Sequence, residues 1–438
     1  MSIEVLTLLF FGSLLLCLFL GVSLAFVLGG VSVIFLYFTW GADAFYMVAS
    51  QMWGTMESFT LVAIPLYVMM AMLLERTGVA KDLYHMIYLW SGGIRGGLAI
   101  GTLAICALFA AMSGISGAAV VAMGTIALPS MLERGYDKKM ALGCINTGGS
   151  WGVLVPPSVL MILYSLITGV SVGQMFVAGI LPGVLLMVLV TAYVIIRCWL
   201  QPELAPAIPK DQRPSWKEKF DALKAVILPI MIVVMVLGSI MLGLATPTEA
   251  AAIGVLGALI SAAVYRKLSL NLFHEASIRT FKLTGMIGWI LFGAHAFSAA
   301  YQGMGAQALI EGLITYIPGG PWGIIIFMMF IVFLLGMVLD PVGIMMITLP
   351  VFMPIVTSLG FDPIWFGILF VINMEIGYMT PPFGFNLFYL KGVVPPGITM
   401  RDIYTSIIPY VIVSLVGLIL VMIFPEIATY LPNKIFND

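Results

Sequence analysis

The chain has 438 residues, of which 62% are hydrophobic and 9% charged, with a formal net charge of −1 and a mean hydropathy of +1.13. A soluble domain carries about 25% charged residues, so the composition excludes one, and the lack of a basic stripe excludes a nucleic-acid partner. An integral membrane protein remains, and its unbroken apolar runs suit helices crossing a ~30 Å hydrocarbon core, whereas barrel strands would alternate apolar and polar residues.

The opening run MSIEVLTLLFFGSLLLCLFL lacks a basic n-region and flows into a second apolar segment, so it reads as a first span at 4–24 rather than a cleaved signal. Further spans follow at 26–40 and 59–75. Residues 97–132 are apolar but interrupted by SGISG, which predicts a re-entrant helical hairpin instead of two crossings. Next comes a hydrophobic segment at 140–168 broken by TGGSWGVLVPPS (147–158), and a span at 175–197 closes the first half. The polar interval 201–224 holds several prolines and then an amphipathic stretch, read as a linker on the membrane surface. The second half runs through spans at 225–245, 249–265 and 283–300 to an apolar stretch at 322–357, interrupted by LDPVG and again read as a hairpin. A segment at 363–390 is broken by NMEIGYMTPPFG (373–384), and 404–424 is the last span. The cysteines Cys17, Cys106, Cys144 and Cys198 stand singly and read as packing residues, not as a zinc or disulfide framework.

The halves match. At a constant offset of 225, Pro129, Gly135, Asp137, Gly152, Pro156, Pro157 and Tyr164 fall on Pro354, Gly360, Asp362, Gly377, Pro381, Pro382 and Tyr389. At an offset of 227, Gly78, Gly92 and Gly93 fall on Gly305, Gly319 and Gly320. These are backbone-shaping residues, so the pattern reads as an internal repeat: 1–198, a cytoplasmic surface linker at 199–224, and 225–438. Five crossings per half invert the second relative to the first. With the N-terminus outside, every Lys and Arg except Lys434 falls on one side, as the positive-inside rule expects. The hairpin at 97–132 then enters from the cytoplasm and that at 322–357 from outside. The fold class is all-α integral membrane, with about ten transmembrane helices plus two re-entrant hairpins in an inverted repeat.

Helix breaks at membrane depth are tolerated only where protein or a watery cavity satisfies the freed backbone groups. Two inverted breaks therefore point to an interior polar site, where unwound carbonyls suit a small cation and half-helix N-termini an anion. At the first hairpin tip, Ser113 and Ser116 offer hydroxyls beside Gly114 and Gly117, uncharged hard ligands appropriate to Na+. At the second, Asp340 precedes Pro341. That is a helix cap with proline at the first position, or an intramembrane acid marking an ion path. The second break adds Glu375 and Thr380, where a carboxylate reads as a cation ligand, a proton carrier or a hydrogen-bonded structural group. In ATPTEAAA, Thr246 and Glu249 form a structural capping box around Pro247. His295 reads as a core histidine more readily than as a proton relay.

Together, SGISGAAVVAMGTIALPSMLERGYD, NTGGSWGVLVPPS, GLATPTEAAA and EIGYMTPPFGFNLFYLKGV resemble the large membrane subunit of tripartite ATP-independent periplasmic (TRAP) transporters, the DctM-like family. The resemblance covers nearly the whole chain. It implies a multi-pass inner-membrane secondary transporter of the ion transporter superfamily, driven by a Na+ gradient through an elevator mechanism. It implies uptake of an organic anion, such as a C4-dicarboxylate, sialic acid or another keto or sugar acid. The implied partners are a periplasmic solute-binding protein and a small four-helix membrane subunit, here expected as a separate polypeptide. At least two Na+ ions and no organic cofactor are implied. Carried onto this sequence, one Na+ site falls on Ser113, Ser116, Gly148, Gly149 and Ser150, and a second on Asp340, Glu375, Gly377 and Thr380. Substrate would sit near Gly114, Gly117, Pro156, Pro157, Pro341, Pro381 and Pro382.

Two rival functions stay open on sequence alone. Proton-coupled or exchange transport rests on Asp340, Glu375 and His295. An intramembrane serine protease rests on the GxSG string at 114–117, and it needs a histidine base within reach of Ser116.

Overall fold

The computed structural model describes residues 2–91, 93–114, 116–207, 213–314 and 316–436. Gly92 of the repeat alignment, Ile115 of the hairpin tip and 208–212 of the linker lie outside the described residues. Every regular element among those described is a helix. The first half comprises α1 (Ile3–Phe19), α2 (Leu24–Trp40), α3 (Ala44–Met56), α4 (Ala63–Thr77) and α5 (Val79–Ser91). The first hairpin is α6 (Gly97–Ser113) and α7 (Ser116–Glu133); the first broken segment is α8 (Lys138–Trp151) and α9 (Val159–Thr168); α10 (Val172–Leu200) follows. After α11 (Trp216–Ala222), the second half runs through α12 (Lys224–Met241), α13 (Pro247–Val264), α14 (Leu270–Gly303) and α15 (Ala306–Ile314). The second hairpin is α16 (Gly320–Gly336) and α17 (Pro341–Ser358), and the second broken segment α18 (Pro363–Tyr378) and α19 (Phe385–Lys391). Finally come α20 (Met400–Ile423) and α21 (Glu426–Phe436).

Among the described residues nine helical stretches are long and apolar enough to cross a membrane, and two of these are the hairpin arms α7 and α17. The others, with α1 and the two broken segments, are the expected crossings. Four short helices, α3, α5, α15 and α21, were not expected from apolar run length. Each mixes charged or polar residues into a length below a span, so packing against neighbours fixes them rather than hydropathy. The span expected at 283–300 is the second half of a 34-residue helix, α14. Its polar beginning is held by ion pairs to α4, Arg76 to Glu275 at 2.8 Å and Arg279 to Glu75 at 3.8 Å.

Local chemistry sets the boundaries. Asp137 and Asp362, a repeat pair, cap the two broken segments by accepting from Met140 N at 3.0 Å and Ile364 N at 2.7 Å. Thr246 and Glu249 exchange backbone bonds in a capping box with Pro247 at the first position. Gly135 and Gly360, also repeat partners, take φ of 74° and 78° in the turns before those caps, a conformation costly for other residues.

Two bodies result. In one, α2 crosses α14 where a Cβ on Gly29 would lie 3.6 Å from Gly293 Cα, and α4 packs on α13, with Tyr67 Oη donating to Pro247 O at 3.2 Å. Small residues at such crossings let helices approach without a hydrophobic driving force. In the other, α8 lies against both arms of its own hairpin, and α18 against α16. The second arms cross over: α7 packs on α19 and α17 on α9, so each hairpin touches the far piece of the opposite broken segment. The α4–α6 and α14–α17 contacts join the bodies.

Candidate functional site between the hairpin turns

Hairpin one turns at Gly114, with φ of 65°, and a Cβ there would lie 3.2 Å from Val159 and 3.5 Å from Pro157 O. The tip therefore sits against the first break, 152–158. Ser113 Oγ donates to Ala110 O at 3.3 Å within its own helix. Ser116 Oγ donates to Asn386 Oδ1 at 3.4 Å, Asn386 Nδ2 donates to Ser150 Oγ at 2.7 Å, and Ser150 Oγ donates to Asn146 O at 3.1 Å. All these side chains are buried. Gly149 faces Ser116 O, to which a Cβ would come within 3.4 Å, and Gly148 faces Leu103 O at 3.0 Å. The structure thus brings Ser116, Gly149 and Ser150 together. It adds Asn386, from the opposite half, which sequence reasoning passed over. The one signal was an amide inside the otherwise apolar GFNLFYL.

Next to this bridge, Asn146 Oδ1 and Nδ2 and Thr147 Oγ1 are buried with no hydrogen-bond partner among the described residues. Leaving such atoms unpaired costs about 1–3 kcal/mol each. Hydroxyl and amide oxygens without partners, beside helix-end carbonyls, fit a hard monovalent cation.

Hairpin two turns over 337–340. Asp340 is half-buried and caps α17, accepting from Gly343 N at 3.2 Å, with Pro341 next. Gly384 N donates to Met337 O at 3.2 Å, tying the second break to this turn. Glu375 is 1% exposed and neither carboxylate oxygen has a hydrogen-bond partner among the described residues. A buried carboxylate in that condition needs a cation or a proton. Gly377 lies at the α16–α18 crossing, where its Cβ would come within 2.8 Å of Gly336 Cα, and Thr380 Oγ1 donates to Ile376 O at 2.6 Å. The Pro156–Pro157 and Pro381–Pro382 bonds are cis in both breaks. Pro156 and Pro157 are buried and Pro382 is exposed, accepting through its carbonyl from Tyr404 Oη at 2.6 Å.

A cavity of about 460 Å3 reaches both hairpin turns and Glu375. Ser116 and Gly117 line it from hairpin one, Asp340 and Pro341 from hairpin two, and Glu375 from the second break. Val68, Met72 and Glu75 of α4 with Met286 and Ile287 of α14 form the opposite wall. Its volume suits a small organic solute. His295 lies in a different cavity, and the hydroxyl of Ser116 is bound to an amide rather than an imidazole. The arrangement lacks the nucleophile–base contact that proteolysis requires.

A family profile described as "Tripartite ATP-independent periplasmic transporter, DctM component" matches residues 11–427. The chain is 35% identical to the C4-dicarboxylate TRAP transporter large permease protein DctM of Pseudomonas aeruginosa, over 89% of this chain and 90% of that protein. It is 31% identical to the ectoine TRAP transporter large permease protein TeaC of Halomonas elongata, over 96% and 97% respectively. Among solved structures, the Alcanivorax borkumensis YdaH transporter superposes with a TM-score of 0.65 at 16% identity, covering 94% of this chain and 98% of that one. At that identity the likeness is one of fold.

Proposed function

This chain belongs to the DctM-component family of tripartite ATP-independent periplasmic transporters, and from that premise we propose that it couples Na+ entry to uptake of a small organic anion by an elevator mechanism. It is a multi-pass membrane permease subunit and not an enzyme. The observation that carries the reading is the cavity bounded by both hairpin turns and the second break on one body and by α4 and α14 on the other. A pocket between two bodies is where sliding of one past the other changes the side of access.

Ser113, Ser116, Gly148, Gly149 and Ser150, now with Asn386, would hold one co-transported ion through hydroxyl, amide and carbonyl oxygens. Asp340 and Glu375, with the backbone around Gly377 and Thr380, would hold the second. The bound ions supply positive charge to a cavity whose lining includes carboxylates and no Lys, Arg or His among the described residues. An anionic solute then meets cations and the α17 N-terminus rather than bare acids. In this reading hairpin one enters from the cytoplasmic side of the inner membrane and hairpin two from outside, which the one-sided distribution of Lys and Arg supports. A small membrane subunit would buttress α4, α14 and their neighbours, and an extracytoplasmic binding protein would deliver the solute. Two relatives are named for C4-dicarboxylate and for ectoine, which supports a small solute bearing a carboxylate.

The test is uptake by the complete transporter in proteoliposomes, with labelled succinate, ectoine and N-acetylneuraminate as probes. An inward Na+ gradient drives accumulation of one of them if the reading holds. Accumulation that follows a pH gradient and ignores Na+ overturns Na+ coupling in favour of proton coupling through Asp340, Glu375 or His295.

A further inference from the structure

A second cavity, of about 230 Å3, lies farther along α14, toward its C-terminal end. It is lined by His295, Ser298 and Gln302 of α14, Met346 of α17 and Thr168 of α9. Each of its walls is the repeat partner of a wall of the large cavity. The offset of 227 that pairs Gly78 with Gly305 puts Val68 and Glu75 of α4 onto His295 and Gln302. The offset of 225 puts Val121 of α7, which lines the large cavity, onto Met346. Helix α9 pairs in the same way with α19, whose Tyr389 also lines the large cavity. The three helices that wall the small cavity thus have repeat counterparts in α4, α7 and α19 of the large one, which α9, α14, α17 and α18 also line.

They differ in access and in chemistry. The large cavity reaches both hairpin turns, whereas the small one reaches neither and is bounded by the side of α17. On the first, the α4 wall presents Val68, Met72 and Glu75, two apolar side chains and a carboxylate. On the second, α14 presents an imidazole, a hydroxyl and an amide, with Gln302 Nε2 donating to Ser298 Oγ at 3.3 Å.

We propose that His295, Ser298 and Gln302 are the outward-facing scaffold wall of the transport pocket, flanked by α17 in this structure, and that they face the solute before translocation as Val68, Met72 and Glu75 face it afterwards. This rests on the alternating-access reading above. Imidazole, hydroxyl and amide groups donate hydrogen bonds to a carboxylate. Glu75 repels one. The solute is thus held more tightly outside than inside, a differential that favours inward release.

The test uses Ser298→Cys, with His295→Cys as the second variant, in membrane vesicles of both orientations carrying the complete transporter. A membrane-impermeant thiol reagent is applied in NaCl and in choline chloride. The chain's own cysteines are buried or half-buried. Ala118→Cys, on hairpin one and lining the large cavity, reports alternating access independently. Ser298→Cys is expected to react only from outside, and about tenfold faster in the salt that exposes Ala118→Cys outward. If Ala118→Cys switches sides while both α14 variants react equally in the two salts, or react from the cytoplasmic side, the wall assignment is overturned and alternating access stands. If Ala118→Cys reacts from one side in both salts, alternating access fails and the wall assignment fails with it.

Discussion

Asn386 joins two helix breaks that the chain keeps far apart: its amide spans Ser116 and Ser150, 270 and 236 residues away. Truncation by Asn386→Ala leaves two buried hydroxyls short of a partner, at about 1–3 kcal/mol each. The expected result is a lower melting temperature and a roughly tenfold weaker response to Na+ in thermal melts; an unchanged Na+ response would reduce Asn386 to packing. Asp340 asks a different question, because it caps α17 and also lines the cavity. Asparagine caps about as well as aspartate, so Asp340→Asn preserves the helix and removes only the charge. Na+ affinity is expected to fall about tenfold at nearly constant stability in Na+-free buffer, and a normal Na+ titration would leave Asp340 a cap alone. The hydroxyls of Ser116 and Ser150 were legible in the sequence because glycines flank them. Asn386 was not, since its role arises from a contact between halves and no local spacing encodes it.

At the scale of elements, the breaks and the hairpins were read from glycine and proline, since those residues act on the backbone locally, while Asp137 and Asp362 were seen as a repeat pair but not as caps. The long polar start of α14 was missed because its ion pairs to α4 are tertiary. The repeat also explains why glycine recurs where helix meets hairpin. Gly152 packs α8 on Ala107 and Ala110 of α6, and its partner Gly377 packs α18 on Phe333 O and Gly336 of α16. A methyl group at Gly377 meets backbone within 2.8 Å, which side-chain rotation cannot relieve, so Gly377→Ala is expected to destabilise by about 1–3 kcal/mol. Gly360→Ala is the comparison: nothing lies within 4 Å of its Cβ position and only its φ of 78° is strained, at roughly 1 kcal/mol. Thermal melts of the two variants measure the difference. A larger loss at Gly360 would mean that turn geometry, rather than the α16–α18 crossing, limits stability.

For the whole molecule, the two proposed ion sites lie on one body but draw on both halves of the chain, so ion binding should hold that body together. A ligand that binds only the folded state adds RT ln(1 + [L]/Kd), about 2.7 kcal/mol per site at a hundredfold excess over Kd. Two independent sites give about twice that, which predicts a rise of several degrees in melting temperature as Na+ replaces K+ at constant ionic strength. Ser150→Ala should remove one part of the rise and Asp340→Asn the other, and together they should make Na+ and K+ equivalent. The two losses add only if the sites are separate, because variants sharing one site do not sum. Should either variant alone abolish the whole rise, the clusters around Ser116 and Asp340 form a single coupled unit, and the count of co-transported ions assigned to this cavity falls accordingly.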